Sequence, residues 1–262
     1  MGDPGLVCFF RSSAKPIQAL PLVRARSDLD DIEVAIACAS HRADPAQIAA
    51  ARSLLAKAPA TEVDLECGEQ EGRPPGRIHH NCSGKHAGFL ALCHARGWET
   101  TGYRLEAHPL QQELLAEVAA AAELRPEEIP TAVDGCGVRT FALSLEQMAR
   151  SFARLPTLDG ANRILAAMRA HPELVGGEGA LDTTLMRALP GWVAKVGAEG
   201  LVCAVSPDGL GIALKSEDGN PRPLQPALGR FLSSLGVVVG EDLATVPVES
   251  SRSEVVDEIV AD

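Results

Sequence analysis

The sequence holds no apolar run long enough to span a bilayer, no run of lysines and arginines, and no internal repeat or low-complexity linker. The first absence excludes a helical membrane anchor within the sequence. The second argues against a nucleic-acid partner, because phosphate binding needs clustered cations and the net charge here is −11. The opening residues, Met1-Gly2-Asp3-Pro4, lack the basic and apolar regions of an export signal, so a cytoplasmic location is expected. The glycine-rich stretch Gly176-Gly177-Glu178-Gly179 is followed by no Gly-Lys-Ser/Thr, which rules it out as a phosphate loop. What is present is an ordinary globular composition: 46% hydrophobic and 23% charged residues over 262 positions, enough for one large core. Seven cysteines is an odd number, and without an export signal free thiols or metal ligands are expected rather than disulfides. Cys38 and Cys93 lie in apolar runs and are expected in the core, whereas Cys82 and Cys136 adjoin glycine and charged residues.

The densest chemistry lies in His79-His80-Asn81-Cys82-Ser83-Gly84-Lys85-His86-Ala87-Gly88. A proline-rich loop precedes it, and apolar residues at helical spacing follow to Arg96-Gly97, so the cluster is expected where a helix begins. Backbone N–H groups at such an end favour an anion. A plain helix cap at Asn81 or Ser83 explains any one of these residues equally well. Near the start, Ser12-x-x-Lys15 puts a hydroxyl and an amine one helical turn apart. A lysine whose pKa is lowered by burial or by a second cation can take a serine proton, although the pattern alone is common on solvated helix faces. Pro16 disfavours α geometry at Lys15 unless the turn is distorted.

The periodicity predicts helices over 28–38 running towards His41, 45–58, 109–124, 144–155 and 161–170. A further one is predicted over 183–189 capped by Asp182, and another over 226–235. From Trp192 the texture turns to strand. Short β-branched runs at 193–197, 201–205 and 210–215 are joined by turn sequences, so the sheet is expected to be antiparallel. One more short element is expected after Glu241. Asp134-Gly135-Cys136-Gly137 reads as a tight turn that brings backbone close to a ligand, or as a purely structural turn. Ser40-His41 fits a helix end and the start of the next as well as it fits a catalytic pair. Lys215 reads first as an exposed strand terminus.

Arg11-Ser12-Ser13-Ala14-Lys15-Pro16-Ile17-Gln18, Ala39-Ser40-His41, the block from His80 to Gly88, Asp134-Gly135-Cys136-Gly137, Asp182-Thr183, Lys195-Val196-Gly197-Ala198-Glu199-Gly200 and Ala213-Leu214-Lys215 occur in that order. Together they resemble the asparaginase II family of the Rhizobium etli type, over nearly the whole chain. The resemblance implies an α+β fold, an antiparallel sheet flanked by helices and similar to the serine β-lactamase and glutaminase fold. It implies hydrolysis of L-asparagine to aspartate and ammonia. Two serine–lysine pairs are implied, Ser12 with Lys15 and Ser40 with Lys215, with Ser12 the nucleophile. Asp134, His41 and Ser83 would face the substrate. Cys82, Lys85 and Cys136 would hold zinc, and a homodimer is implied.

Two departures stand out. The family usually carries further N-terminal strands, so a single domain over 1–262 with a bare sheet edge is expected. It also usually continues Ala-Ser-His with Ser-Gly-Glu, where this chain has Arg42-Ala43-Asp44. A glutaminase or β-lactam hydrolase on the same scaffold, and a truncated paralogue that binds zinc or amino acid without turnover, are the competing readings.

Overall fold

A computed structural model describes residues 2–261. In chain order they form β1 (Val7–Phe9), α1 (Lys15–Gln18), α2 (Leu20–Ala25), α3 (Asp31–Ala37), α4 (Pro45–Lys57), α5 (Ser83–Arg96) and α6 (Pro109–Ala122). Then follow β2 (Thr131–Val133), β3 (Arg139–Ser144), α7 (Leu145–Arg154), α8 (Ala161–Ala170), α9 (Pro172–Gly176) and α10 (Leu181–Ala188). The chain ends with β4 (Val193–Gly197), β5 (Leu201–Val205), β6 (Gly211–Lys215), α11 (Leu224–Ser234), α12 (Glu241–Ala244), β7 (Thr245–Glu249) and β8 (Val255–Val260). The class is α+β with small antiparallel sheets. Strand orders are β1-β3-β2 and β4-β5-β6, with β7-β8 as a hairpin.

Local chemistry sets several boundaries. Asp30 and Glu33 form a capping box, each side chain meeting the other's backbone N–H, which starts α3. Pro45 at the first position opens α4, and Gly97 in the left-handed region closes α5. The axis of the fold is α5, buried from Ser83 to Cys93. A helix buried on every side must be covered on every side, and α2, α3 and α4 all pack against this one. Gly84 permits the closest approach: a Cβ there would lie 2.3 Å from the Ile36 carbonyl oxygen of α3. The helix start that carries Cys82, Ser83 and Lys85 is thereby pressed onto the α3 terminus that leads to Ser40.

The strands β4, β5 and β6 fall where the β-branched runs predict, and Cys38 and Cys93 are core residues. All seven cysteines are free thiols. Three expectations need correction. Strands are not confined to the region after Trp192, since β1 and β2 flank β3 in register, Val7 opposite Ser144 and Val133 opposite Arg139. Asp182 does not cap α10; Ala180 occupies that position and Asp182 sits in the first turn, fully buried. The segment after Glu241 forms α12 and the β7–β8 hairpin rather than one short element.

Candidate active site

Ser12 lies in a 3-10 turn (Arg11–Ala14) that runs directly into α1, so Pro16 takes an early helix position and Lys15 keeps right-handed helical geometry despite the proline. Arg11, just before the serine, has φ +49°, a left-handed conformation uncommon for a long side chain. Such strain persists only where surrounding contacts fix it. Here the Arg11 N–H donates to Thr140 Oγ1 at 3.2 Å, Nε donates to Asp134 Oδ1 at 2.8 Å and Nη1 to Glu199 Oε1 at 2.5 Å.

Ser12 and Arg11 line a cleft of about 320 Å³ together with His80, Asn81, Cys82, Asp134, Gly135, Cys136 and Ala198. The start of α5 forms one wall and the Asp134–Cys136 turn another. A larger recess of about 630 Å³ lies between α10, α11 and the β7–β8 hairpin, but it is lined by residues such as Arg187, Glu241 and Asp242 and holds none of the serine–lysine pairs.

Two lysines adjoining the 3-10 turn nearly vanish from solvent. Lys15 is 1% exposed and Lys195, on β4, is 0% exposed. The Lys15 amine donates to the Ala39 carbonyl and to Ser40 Oγ, the latter at 3.0 Å. Burial pushes its pKa down to about 8; Lys85 and Lys195 add like-charge repulsion, while Cys82 and Cys136 act the other way. Lys195 is held by Asp182, its amine 3.1 Å from Oδ2 with both side chains fully buried, and it also donates to the Val196 carbonyl. The neighbouring Ser13 hydroxyl donates to the Lys195 carbonyl at 2.8 Å, which pins the 3-10 turn to β4.

Neither expected pair is therefore formed as a hydrogen bond: the Lys15 amine meets Ser40 instead of Ser12, and Ser40 does not meet Lys215. Lys215 is half-buried on β6 and its amine donates to the backbone carbonyls of Glu199 and Ser216, at 2.6 and 2.8 Å. It fastens the β4–β5 turn. Ser40 takes its amine from Lys15, and the second buried lysine is Lys195. A signal for Lys195 did exist in the sequence: a lysine inside the apolar strand run Trp192-Val193-Ala194-Lys195-Val196 has to be buried and paired.

His41 and Ser83, expected at the substrate, are both fully buried. The Ala43 N–H donates to His41 Nδ1 at 3.1 Å, so Nε2 carries the proton and donates to Ser83 Oγ at 2.7 Å. Ser83 in turn donates to the Ile78 carbonyl. Burial, with Lys15 nearby, pushes the imidazole down to about 3. The pair is bonded internally and joins the Ser40 turn to α5, with no side-chain surface open to the cleft.

Cys82, Lys85 and Cys136 do come together. The Lys85 amine lies 3.2 Å from Cys136 Sγ. The Cys136 thiol lies within hydrogen-bond reach of Cys82 and, with the Lys15 and Lys85 amines, holds the Cys82 pKa well below its usual range against burial; Cys136 is raised by the same bond. Lys85 is raised, since the sulfur charges outweigh its burial. Among the described residues no three His, Cys, Asp or Glu side chains converge as a metal site. The third donor here is an amine. Two sulfurs and a nitrogen at one corner of a cleft suit zinc, and the Lys85 ammonium marks that corner as a place where positive charge is stabilised.

Asp134 is half-buried on the cleft wall, with Oδ1 accepting from both Arg11 and the Gly135 N–H. Arg11 and Lys195 are the site residues to which the sequence reading gave no role.

A family model described as L-asparaginase II matches residues 1–261 of the chain. No curated protein matches it. No helix among the described residues is long and apolar enough to cross a membrane.

Proposed function

The chain belongs to the L-asparaginase II family, and from that premise we propose that it hydrolyses L-asparagine to L-aspartate and ammonia, with Ser12 as nucleophile. What carries this reading is the placement of Ser12 on the cleft wall one helical turn from Lys15, a buried amine bonded to Ser40 with its pKa pushed down to about 8.

The steps follow from those groups. Lys15 takes the Ser12 proton as the oxygen attacks the side-chain amide carbon, giving a tetrahedral intermediate. The C–N bond then breaks, and the departing nitrogen takes a proton delivered from Lys15 through the Ser40 hydroxyl and leaves as ammonia. Water repeats the sequence on the resulting ester and releases aspartate. Lys195, held by Asp182, keeps a second cation near Lys15 and so favours its neutral form. Asp134 receives the substrate's α-amino group. The scaffold of α1, the Ser40 turn and β4 is, in this reading, similar to that of the serine β-lactamases.

Zinc belongs to the same proposal. Cys82, Lys85 and Cys136 would hold it, and when bound it supplies positive charge beside the cleft. Lys85 would have to give up its proton to bind, so affinity should rise with pH. Dialysis against zinc followed by elemental analysis is expected to show stoichiometric metal that Cys136→Ala loses; equal zinc content in that variant removes this trio as the binding site.

The test of the function is ammonia release from asparagine against glutamine, measured over pH. Release from asparagine is expected to rise with pH through a midpoint near 8, as Lys15 loses its proton. The same shift acts on stability. The unfolded lysine titrates near 10.5 and the folded one near 8, so the unfolded chain binds the extra proton between them and this contribution to stability rises with pH across that window. Below pH 8 the buried charge weighs on the fold in full. A flat rate profile between pH 7 and 9 removes Lys15 as the base, and release from glutamine alone reassigns the substrate.

A further inference from the structure

Glu199 follows Ala198, which lines the cleft, and bonds to Arg11, which lines it too, yet the mechanism above gives it no part. It sits on the β4–β5 turn with φ +62°, also left-handed, and its carboxylate is 58% exposed. Its own backbone is pinned, since Lys215 holds the Glu199 carbonyl. Only the side chain is free to swing. That side chain reaches Arg11, whose other contact, Asp134, is only 12% exposed. The guanidinium thus spans the cleft from the Asp134 wall to the β4–β5 turn, next to Ser12. Of its two carboxylate partners one is half-buried and doubly engaged, with Oδ1 also accepting from Gly135, and the other is exposed and bound through a single oxygen.

We propose that Glu199 is a resident stand-in for the substrate's α-carboxylate. The ligand displaces it from Arg11, so that Asp134 and Arg11 read the α-amino and α-carboxylate groups of one α-amino acid. This inference rests on the amidohydrolase reading and adds a specificity device to it. A guanidinium offers five donors in a planar fork that suits a carboxylate, and a glutamate at this place competes for that fork. An amide without an α-carboxylate gains nothing by opening the contact. Only ligands that bring their own anion are repaid with the guanidinium.

The test is Glu199→Gln, with kinetics on L-asparagine and on β-alaninamide, which is asparagine with the α-carboxylate replaced by hydrogen. Calorimetric titration of both proteins with L-aspartate gives a readout independent of turnover. Removing an exposed competing ion pair is expected to lower KM for asparagine by about two- to fivefold, with kcat little changed, and to tighten L-aspartate binding by a similar factor. β-Alaninamide should show no gain. An unchanged or raised KM for asparagine, an equal gain for β-alaninamide, or L-aspartate binding that does not tighten overturns the proposal. If the wild-type chain releases no ammonia from asparagine, the amidohydrolase reading fails separately, and the aspartate titration still decides the role of Glu199.

Discussion

Replacing Ser12 by alanine is expected to lower ammonia release from asparagine by roughly 10³-fold or more, since the groups around a nucleophile act as a unit and keep little activity without it. The fold should survive. Ser12 is half-buried at the cleft wall, while the bonds that anchor its turn belong to neighbours: Ser13 to the Lys195 carbonyl, and Arg11 to Thr140, Asp134 and Glu199. A change of one hydroxyl at such a place should move the melting temperature by only roughly 2 °C. L-Aspartate should still bind, because Arg11 and Asp134 are untouched. Ser40→Ala separates the two serines. It removes the partner of the Lys15 amine, so it should slow loss of ammonia while leaving the attacking group in place. Full activity in Ser12→Ala reassigns the nucleophile to another cleft residue.

The second large effect concerns stability. Asp182 and Lys195 form an ion pair in which neither side chain reaches solvent, and Asp182 also accepts from the backbone N–H groups of Thr183 and Val196. Space is tight as well: a Cβ added to Gly176 would lie 2.0 Å from Asp182 Oδ1. Removing one partner of such a pair leaves a buried charge without compensation and costs about 3–5 kcal/mol. Asp182→Asn keeps the shape and much of the hydrogen bonding but removes the charge. Its melting temperature is expected to fall by roughly 10 °C. Adding Lys195→Met removes the stranded cation and should recover part of the loss. Lys195→Met alone has a separate signature, because it takes a like charge away from Lys15: whatever activity remains should show its pH midpoint moved upwards from about 8. An unchanged melting temperature in Asp182→Asn would mean that the pair contributes nothing to the fold.

The parts of this molecule legible in the sequence are those with local causes. The helices α4, α5 and α6 announce themselves by Pro45, by the apolar run after Lys85 and by Pro109, and the β4–β6 meander by β-branched runs separated by turn residues. The convergence of Cys82, Lys85 and Cys136 was implied by the family resemblance and not by their spacing, because Cys136 lies far along the chain from the other two. What could not be read is the choice among partners. Ser40 meets Lys15 instead of Lys215 because α5 presses on α3 at Gly84 and sets the Ser40 turn against α1, a tertiary contact with no trace in spacing. His41 and Ser83 look like site residues in any list of polar groups, and only burial shows that they satisfy each other. The strands β1 and β2 have three residues each, too few to carry a period of two. Asp182 has the residue type and the place of a helix cap, and becomes the partner of Lys195 only once β4 lies beside α10.

The nucleophile can be identified by chemical capture. An asparagine analogue bearing a diazoketone in place of the side-chain amide loses nitrogen and alkylates the group that attacks it, and peptide mass mapping then locates the adduct. The adduct is expected on the Ser12 oxygen, formed faster as pH rises through about 8 and blocked by L-aspartate. An adduct on Ser40, on Cys82 or outside the cleft contradicts Ser12 as the nucleophile, and so does the absence of any adduct.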